Sequence, residues 1–402
     1  MTGPAGTAMP PLARLFVGGT VVEPDGTRRA DLLLVDGRIA AVGELGAAAE
    51  AGSLVERVDV TGLTFAPGLI DAHAHILGGG GGDGFASRVP ELRLTDLTGH
   101  GITTVVGVPG IDMVSRNLEG LLAKARALGD DGMTAYLYVG GFGRPLANLT
   151  GSVWRDAYLL PEVVGVKLAV GDDRAPSIDA RELVDLAREL AWAERARGRA
   201  LVVHAHLGTR PEGIALLRDV LGRVPNPARL VVTHCNWSRT SLEAAAGFLA
   251  DGATVDVSTL MDPGRGIEGA VSPSVAVAEL LEGGSDPGRV SMTTDGNGHV
   301  PGRTSSGWDP YETLMDTLFA ETRKLALERG LGWPAALRVV TANPAAALGL
   351  DRKGVIRAGA DADLVVLDAD GALVGVYARG REMVRAGAPI VRDRYEVRTD
   401  AG

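Results

Sequence analysis

The chain has 402 residues, with 50 acidic and 40 basic side chains and a formal net charge of −10 when histidine is neutral. This acidic balance argues against a nucleic-acid partner, because binding to phosphates needs a basic surface. Hydrophobic residues make up 46% and charged residues 22% of the chain, which excludes wholesale disorder.

Membrane and secretory segments are not indicated. No apolar run approaches the roughly 18 residues of a membrane helix, and the first dozen residues lack the basic start and apolar stretch of a secretory signal. The single cysteine, Cys235, cannot form an internal disulfide and is interpreted as a buried, inert thiol. We therefore expect a cytoplasmic protein.

Short strands separated by turns are predicted at both ends of the chain. Residues 14–60 and the tail from about 354 alternate β-type apolar runs with Gly and Asp-Gly turns, which is typical of small antiparallel sheets. Because chain termini often lie close together, we expect the two pieces to pair into one small β-sandwich.

Strands alternate with helical segments through the middle of the chain. Eight candidate strands, from TFAPGLIDAH to RVSMTTD, fall within roughly 230 residues, and helical segments such as ARELVDLARELAWAERAR separate several of them. Apolar strands alternating with helices indicate a parallel sheet, and eight of them predict an α/β (β/α)8 TIM barrel. The expected domains are the barrel at 66–350 and a β domain built from 1–65 and 351–402.

Polar side chains collect at the ends of these predicted strands. In chain order they are His73, His75, Lys167, His206, His234 and Asp295. Because the carboxyl ends of barrel strands meet at one mouth, we expect these side chains to converge there.

The histidines indicate a metal centre. His73 and His75 are two residues apart, so on a strand both side chains face the same way and can share one divalent ion. His206 and His234 can hold a second ion.

Lys167 and Asp295 complete the predicted chemistry. A lysine ammonium would repel both cations, so Lys167 fits only when neutral or modified, as when CO₂ carboxylates it into an anionic bridge. Asp295 can bind one metal and also accept a proton from a bound water. Two metals lower the pKa of a bridging water and polarise the substrate oxygen, so the set indicates metal-assisted hydrolysis of an amide or related bond.

Simpler interpretations exist for several of these residues. His204 has the same strand parity as His206, and we favour His206 because it lies nearer the carboxyl end of its strand. Asp295 could serve only the turn in TTDGNG, and Lys167 could be a surface lysine, although VVGVKLAV around it is apolar. Glycines 78–82 precede no Gly-Lys-Ser/Thr, so we interpret them as a flexible loop beside the metals rather than a phosphate cradle.

Four segments carry a resemblance to a known family. PGLIDAHAHILGGGG, VVGVKLAVGDDR, VVTHCN and TTDGNG resemble the amidohydrolase superfamily and, within it, isoaspartyl (β-aspartyl) dipeptidase, and the similarity runs over nearly the whole chain. The resemblance implies two zinc ions, one held by His73, His75 and Asp295 and the other by His206 and His234, with carboxylated Lys167 as the bridge. It also implies that a bridging hydroxide attacks the scissile carbonyl, while Asp295 takes its proton and later passes it to the leaving amine.

The resemblance breaks at the substrate pocket. Gly82 followed by Asp83 stands where the family has a glutamate that holds the substrate amino group, and Phe142 replaces a carbonyl-polarising tyrosine. The other changed contact positions are Trp237 for an arginine, Ile111 for a threonine and His299 for a serine. Arg174 matches a family arginine that grips a substrate carboxylate.

Three functions follow as alternatives. The first is isoaspartyl-dipeptidase-like hydrolysis of an amide. The second is a changed specificity for a cyclic amide or an N-acyl amino acid, or the reverse ring closure, which the apolar Phe142 and Trp237 favour. The third is a non-catalytic scaffold, which the retention of every metal position together with Asp295 disfavours. The resemblance further implies a homo-oligomer acting on a small molecule.

Overall fold

The structure is a computed structural model that describes residues 13–46, 55–82, 84–298 and 313–396. Seven short strands precede the barrel. They are β1 (Ala13–Val17), β2 (Thr20–Glu23), β3 (Gly26–Arg29), β4 (Asp31–Val35), β5 (Arg38–Gly43), β6 (Val55–Asp59) and β7 (Thr64–Pro67).

Eight parallel strands form the central sheet. They are β8 (Leu69–Ala74), β9 (Ile102–Gly107), β10 (Thr134–Gly141), β11 (Val163–Val170), β12 (Val202–Leu207), β13 (Leu230–Thr233), β14 (Thr254–Ser258) and β15 (Val290–Thr293). Each pairs with its neighbours in chain order. The sheet closes where the His75 N–H donates to the Gly296 carbonyl at 3.0 Å and the Asp295 N–H donates to the His73 carbonyl at 3.0 Å. The predicted TIM barrel is therefore confirmed.

Helices surround this barrel. They are α1 (Leu94–Thr98), α2 (Leu118–Asp130), α3 (Val153–Leu159), α4 (Ala180–Arg197), α5 (Pro211–Leu221), α6 (Arg239–Ala250), α7 (Pro273–Glu282), α8 (Thr317–Leu327), α9 (Gly332–Arg338) and α10 (Ala342–Leu348). The predicted helix ARELVDLARELAWAERAR is α4, in which Asp179 caps the amino end through the Glu182 N–H and Gly198 ends the helix in a left-handed conformation. No described helix combines the length and the apolar composition needed to cross a bilayer.

The two ends of the chain build separate sheets. The tail supplies β16 (Leu364–Leu367), β17 (Leu373–Ala378), β18 (Arg381–Arg385) and β19 (Ala388–Pro389). One sheet has the strand order β5-β4-β1-β6, and the other has the order β19-β18-β17-β16-β7-β2-β3. In the second sheet, β16 from the tail pairs with β7 from the amino-terminal part of the chain. The Phe16 ring lies 4.9 Å from that of Phe65 and 5.3 Å from that of Tyr377, so an aromatic core joins residues from both ends of the chain.

The run TFAPGLIDAH, predicted as one strand, is two strands in two sheets. Residues Thr64–Pro67 form β7 in the terminal sheet, and Leu69–Ala74 form β8 in the barrel. The chain changes sheets at Gly68, where a Cβ atom would lie 2.2 Å from the Thr103 Oγ1 atom. The domain limit predicted at residue 65 thus falls inside β7.

Candidate active site

The candidate residues lie at the carboxyl ends of the barrel strands, as the fold requires of a site built on this architecture. His73 is on β8 and His75 follows it directly, while Lys167 and His206 lie within β11 and β12. The remaining two, His234 and Asp295, follow β13 and β15 and adopt left-handed conformations with φ of 65° and 48°. All six are buried. Asp295 is thus a turn residue whose side chain also reaches the histidines.

The Asp295 carboxylate is the centre of this cluster. Its Oδ1 atom lies 3.2 Å from the Nε2 atoms of both His73 and His75, and its Oδ2 atom lies 4.0 Å from Nε2 of His234. Burial alone would raise the pKa of Asp295, but its interactions with His73 and His234 and the hydrogen bonds with His73 and His75, which neutral imidazoles can also donate, hold it well below its usual range. The carboxylate is therefore ionised at neutral pH.

The donor atoms of this cluster fit a divalent cation. One ligand atom each from His73, His234 and Asp295 lies within 4.8 Å of the others. The Nε2 atom of His234 is buried and has no hydrogen-bond partner, while its Nδ1 atom is 2.6 Å from the Ser258 hydroxyl. Burial lowers the pKa of His73 and His234 well below the ordinary value, so both rings are neutral, as metal ligands must be.

Lys167 contributes a buried amine to the same cluster. Its side chain is 1% exposed, and its Nζ atom lies 3.2 Å from His73 Nε2 and 3.2 Å from the Pro109 carbonyl. Burial lowers the pKa of Lys167 to about 8. The surface-lysine interpretation is therefore wrong, because the amine is enclosed beside the histidines.

His206 faces the cavity but contacts a residue that the sequence analysis did not single out. Its Nε2 atom lies 2.8 Å from Asp172 Oδ2, and Arg174 binds the same carboxylate through Nε at 2.9 Å and Nη2 at 2.6 Å. Burial opposes ionisation of Asp172, but hydrogen bonds with Arg174 and His206 hold its pKa far below the usual range. Asp172 follows β11 by two residues, so its position at a strand end was a usable signal.

His204 lies behind the cluster rather than in the cavity. Its Nε2 atom is 2.8 Å from His73 Nδ1, and its ring stacks on Tyr138 at 4.6 Å with an angle of 11°. The other ring nitrogen, Nδ1, is buried without a hydrogen-bond partner. Of the two histidines on β12, His206 thus lines the cavity and His204 contacts His73 from the opposite side.

A cavity of about 520 Å³ opens over the cluster. Four of the predicted substrate positions line it within the described residues: Ile111, Phe142, Arg174 and Trp237. Phe142 and Trp237 flank the His206 ring, with centroids 5.1 and 6.0 Å away. The other two predicted contacts, Asp83 and His299, lie outside the described residues.

Glycines 78–81 pack closely against neighbouring loops, and the segment lies at the edge of this cavity, as the predicted loop beside the metals should. Gly80 has a φ of +86°, and a Cβ atom there would lie 2.0 Å from the Ser87 carbonyl oxygen. Gly79 packs against the backbone of Gly298. A Cβ atom on Gly79 would lie 2.9 Å from the Cα atom of Gly298, so a larger residue would not fit without a shift. The glycines therefore allow two loops to pack beside the candidate metal ligands.

Cys235 is fully buried and its thiol lies 3.2 Å from the Val232 carbonyl. Burial raises the pKa of this thiol, so it remains protonated at neutral pH. The prediction of an inert thiol agrees with this environment.

The closed α/β barrel carries a polar cluster at the carboxyl ends of its strands, which is where the active sites of TIM-barrel enzymes lie. Residues 64–385 match the family model described as Amidohydrolase family, and the chain belongs to that family. The expected resemblance to isoaspartyl dipeptidases is also confirmed by a solved structure. The β-aspartyl dipeptidase of Fervidobacterium islandicum AW-1, in complex with the β-Asp-Leu dipeptide, superposes with a TM-score of 0.84 and 31% identity, covering 94% of this chain and 98% of that one.

Curated relatives named for other substrates are also similar over most of the chain. The allantoinase of Streptomyces avermitilis is 27% identical, covering 87% of this chain and 85% of its own length. The dihydroorotase of Pelotomaculum thermopropionicum is 26% identical, covering 89% of both chains.

Proposed function

We propose that this protein is a metal-dependent hydrolase that cleaves the C–N bond of an amide in the manner of an isoaspartyl dipeptidase. The observation that carries the proposal is the buried cluster around Asp295, in which the Nε2 atom of His234 has no hydrogen-bond partner. The similarity to the F. islandicum dipeptidase over nearly the whole chain supports the same reaction class.

The residues assigned to the two ions are those of the sequence analysis. His73, His75 and Asp295 would hold one ion, and His206 and His234 the other, with carboxylated Lys167 between them. Two zinc ions, when bound, lower the pKa of a bound water and polarise the substrate carbonyl. His206 would reach its ion in exchange for its contact with Asp172.

The environment of Lys167 supports its proposed carboxylation. Its neutral amine attacks CO₂ and releases one proton, which gives a carbamate anion. A pKa of about 8 leaves a larger share of neutral amine at pH 7 than an ordinary lysine has. The resulting anion would replace a buried cation with a ligand suited to divalent metals.

Asp295 is assigned the proton transfers. Its ionised carboxylate can accept a proton from the attacking water and deliver it to the leaving nitrogen. Phe142 and Trp237 line the cavity, and their rings lie against that of His206.

Metal analysis combined with an amide panel tests the proposal. We expect purified protein to contain a divalent metal and to hydrolyse at least one member of a panel of isoaspartyl dipeptides, N-acyl amino acids and cyclic amides. Bound metal without turnover of any amide would contradict the hydrolase and favour the scaffold alternative.

The substitution Asp295→Asn tests the proton transfers. We expect kcat to fall by about 10²–10⁴-fold, because general acid–base catalysis is lost. Much of the metal should remain bound, as measured by elemental analysis of the variant. Substantial residual activity would contradict the assigned role.

A cyclic amide is the second candidate substrate. Two relatives that are similar over most of the chain are enzymes named for the ring compounds allantoin and dihydroorotate. The apolar side chains of Phe142 and Trp237 in the cavity wall also suit a ring. Turnover of hydantoin or dihydroorotate, or formation of a ring in the reverse direction, would favour this candidate over β-Asp-Leu.

Three further assignments stay predictions. Zinc as the native metal is tested by elemental analysis of protein purified without added metal. A homo-oligomer is tested by sedimentation velocity, and a cytoplasmic location by fractionation of the source cells.

A further inference from the structure

An exposed aromatic cluster lies on the outer surface of the barrel, where α3 and α4 pack together. The Trp192 ring of α4 lies 5.4 Å from the Trp154 ring and 5.6 Å from the Tyr158 ring of α3, measured between centroids. Trp192 is 48% exposed, Tyr158 is 41% exposed and the adjacent Leu159 is 52% exposed. We call these four side chains the α3–α4 patch.

The composition of this patch differs from that of the chain. Aromatic residues make up only 4% of the sequence, yet three of them meet here at the surface. Trp and Tyr are enriched in the buried centres of protein–protein interfaces, and an exposed contiguous apolar patch marks an interaction site. The α3–α4 patch therefore has the composition of an interface centre.

The patch is separate from the candidate active site. The buried faces of α3 and α4 pack on β11 and β12, so the patch faces away from the barrel interior. None of its four side chains lines the cavity over the metal cluster. A small substrate bound at that cluster therefore does not cover it.

Two charged side chains beside the patch have no ion-pair partner within the described residues. Arg155 follows Trp154 on α3, and its guanidinium contacts only a backbone carbonyl, through Nε. Glu189 precedes Trp192 on α4 by about one helical turn. Burial and the neighbouring Asp185 raise the pKa of Glu189, since no cation offsets them.

These two charges suit a twofold axis through the patch. In a twofold dimer both subunits use the same surface, so each contact between two different residues occurs twice. With Trp192 near the axis, Arg155 of each subunit can face Glu189 of the partner subunit. A second copy of the chain thus supplies the apolar surface and both complementary charges at once.

We propose that two copies of this chain form a twofold dimer through the α3–α4 patch. The four side chains of the patch form the apolar centre, and Arg155 of each subunit pairs with Glu189 of the partner subunit. Specific interfaces bury about 800 Å² on each partner, so exposed residues of α3 and α4 around the patch also take part. This proposal does not depend on the proposed hydrolysis.

Charge reversal tests the pairing. We expect the wild-type protein to sediment as a dimer. Arg155→Glu and Glu189→Arg each place two like-charge pairs in the dimer, so each should raise the dimer Kd at least about tenfold. The combined variant restores opposite charges with their positions exchanged, and it should return Kd to within about threefold of the wild-type value.

A matched control reverses an exposed arginine elsewhere. Arg329 follows α8, which comes after β15, across the barrel from β11. Arg329→Glu should leave the dimer Kd as it is.

Truncation tests the apolar centre of the interface. Trp192→Ala removes two large rings from each dimer, and we expect it to raise Kd at least about 30-fold, as for a central aromatic anchor. Leu327→Ala, which removes an exposed apolar side chain from α8, should leave Kd unchanged. Sedimentation velocity over a dilution series measures each Kd. Exchange of fluorescently labelled subunits measures dissociation where dilution does not separate the dimer.

The outcomes that overturn the proposal are distinct. A monomeric wild-type protein would exclude the dimer and leave the patch to a different partner. A dimer that Trp192→Ala and both charge reversals leave intact would place the interface on another face. If the reversals weaken a folded dimer and the combined variant does not recover it, the pairing of Arg155 with Glu189 is wrong. Amide turnover is assayed separately, so failure of the proposed hydrolysis is recognised independently.

Discussion

The position of His204 explains the ring orientation of the neighbouring His73. The Nε2 atom of His73 is 3.2 Å from both Asp295 and Lys167, so its Nδ1 atom faces Nε2 of His204 at 2.8 Å. A metal ligand that binds through Nε2 carries its proton on Nδ1, and an acceptor behind it fixes the tautomer and the ring orientation. His204 is thus a positioning residue for His73.

Replacing His204 should weaken metal binding without abolishing the fold. We expect His204→Val to raise the metal dissociation constant by about 10–100-fold, which is typical for loss of a partner of a metal ligand. His204→Gln, whose amide oxygen can accept the same proton, should recover part of this loss. Competition with a chromogenic chelator measures both constants.

His100→Gln is the control, since His100 lies in the loop before β9 at the opposite end of the barrel strands. It should leave the metal dissociation constant unchanged. A folded His204→Val protein with wild-type metal affinity would refute the positioning role.

The sequence located six candidate residues because each is a polar side chain within or directly after an apolar strand, and this pattern is visible without a structure. The sequence offered only one criterion for choosing between His204 and His206, their position along the strand, because both side chains face the same side of it. The structure separates them through the register of β12 with β11, which sets His204 beside Lys167, and through the stacking on Tyr138. Asp172 was missed although its position after β11 was a usable signal, and its contact with His206, 34 residues further along the chain, becomes apparent only in three dimensions.

At the scale of elements, the glycine segment after β8 shows how backbone contacts restrict a loop. Gly80→Ala would place a Cβ atom 2.0 Å from the Ser87 carbonyl in a left-handed conformation. We expect the free energy of unfolding to fall by more than about 1 kcal/mol. Gly247→Ala in α6, where a Cβ has open space, should instead stabilise by about 0.5–1 kcal/mol. Urea unfolding measures both, and equal effects would contradict the packing argument.

Asp256 connects three adjacent strands inside the barrel. On β14, its Oδ2 atom accepts hydrogen bonds from Thr233 and Thr293 at 2.7 Å each, and its Oδ1 atom accepts one from Ser291 at 2.9 Å. Burial raises the pKa of Asp256 from 3.8 to about 6, against the effect of the three hydroxyl donors.

This raised pKa predicts a pH dependence of stability. Between about pH 4 and pH 6 the folded state binds a proton that the unfolded state has released, so the free energy of unfolding falls by about 3 kcal/mol as pH rises through this window. Asp256→Asn should remove that contribution, as followed by urea unfolding across the window. The exposed Asp251→Asn is the control and should keep the wild-type slope. A wild-type slope in Asp256→Asn would contradict the prediction.

The alternation of strands and helices was predictable, whereas the assignment of strands to sheets was only partly so. TFAPGLIDAH contains Pro67-Gly68, a dipeptide that favours a break in a strand, but nothing in its pattern tells which sheet each half joins. That assignment depends on partners distant in sequence, since β7 pairs with β16 and β8 pairs with β9. Strand partners of this kind are fixed by packing rather than by local preference.

At the scale of the whole molecule, one buried lysine joins the barrel to the terminal sheets. The Nζ atom of Lys353 contacts Asp363, lies 3.1 Å from Asp361 Oδ2 and lies 2.6 Å from the Thr134 hydroxyl. Thr134 begins β10 of the barrel, and Asp363 directly precedes β16 of the terminal sheet. Pairing of the two chain ends was predictable, because both ends alternate short apolar runs with turns. The contact of Lys353 with Thr134 was not predictable, because the two residues are 219 positions apart.

Removing this amine should destabilise the whole protein. Lys353→Met leaves Asp361 and Asp363 close together without their shared cation, and loss of one partner of a buried ion pair costs about 3–5 kcal/mol of unfolding free energy. Arg28→Met is the matched control, because it breaks the exposed Arg28–Glu23 pair at the terminal hairpin and should cost only about 0–1 kcal/mol. Urea unfolding gives both values, and calorimetry shows whether barrel and terminal sheets still unfold in one transition. If the two variants lose the same small amount, Lys353 does not stabilise the junction, and the apolar contacts between the barrel and the terminal sheets must suffice to hold them together.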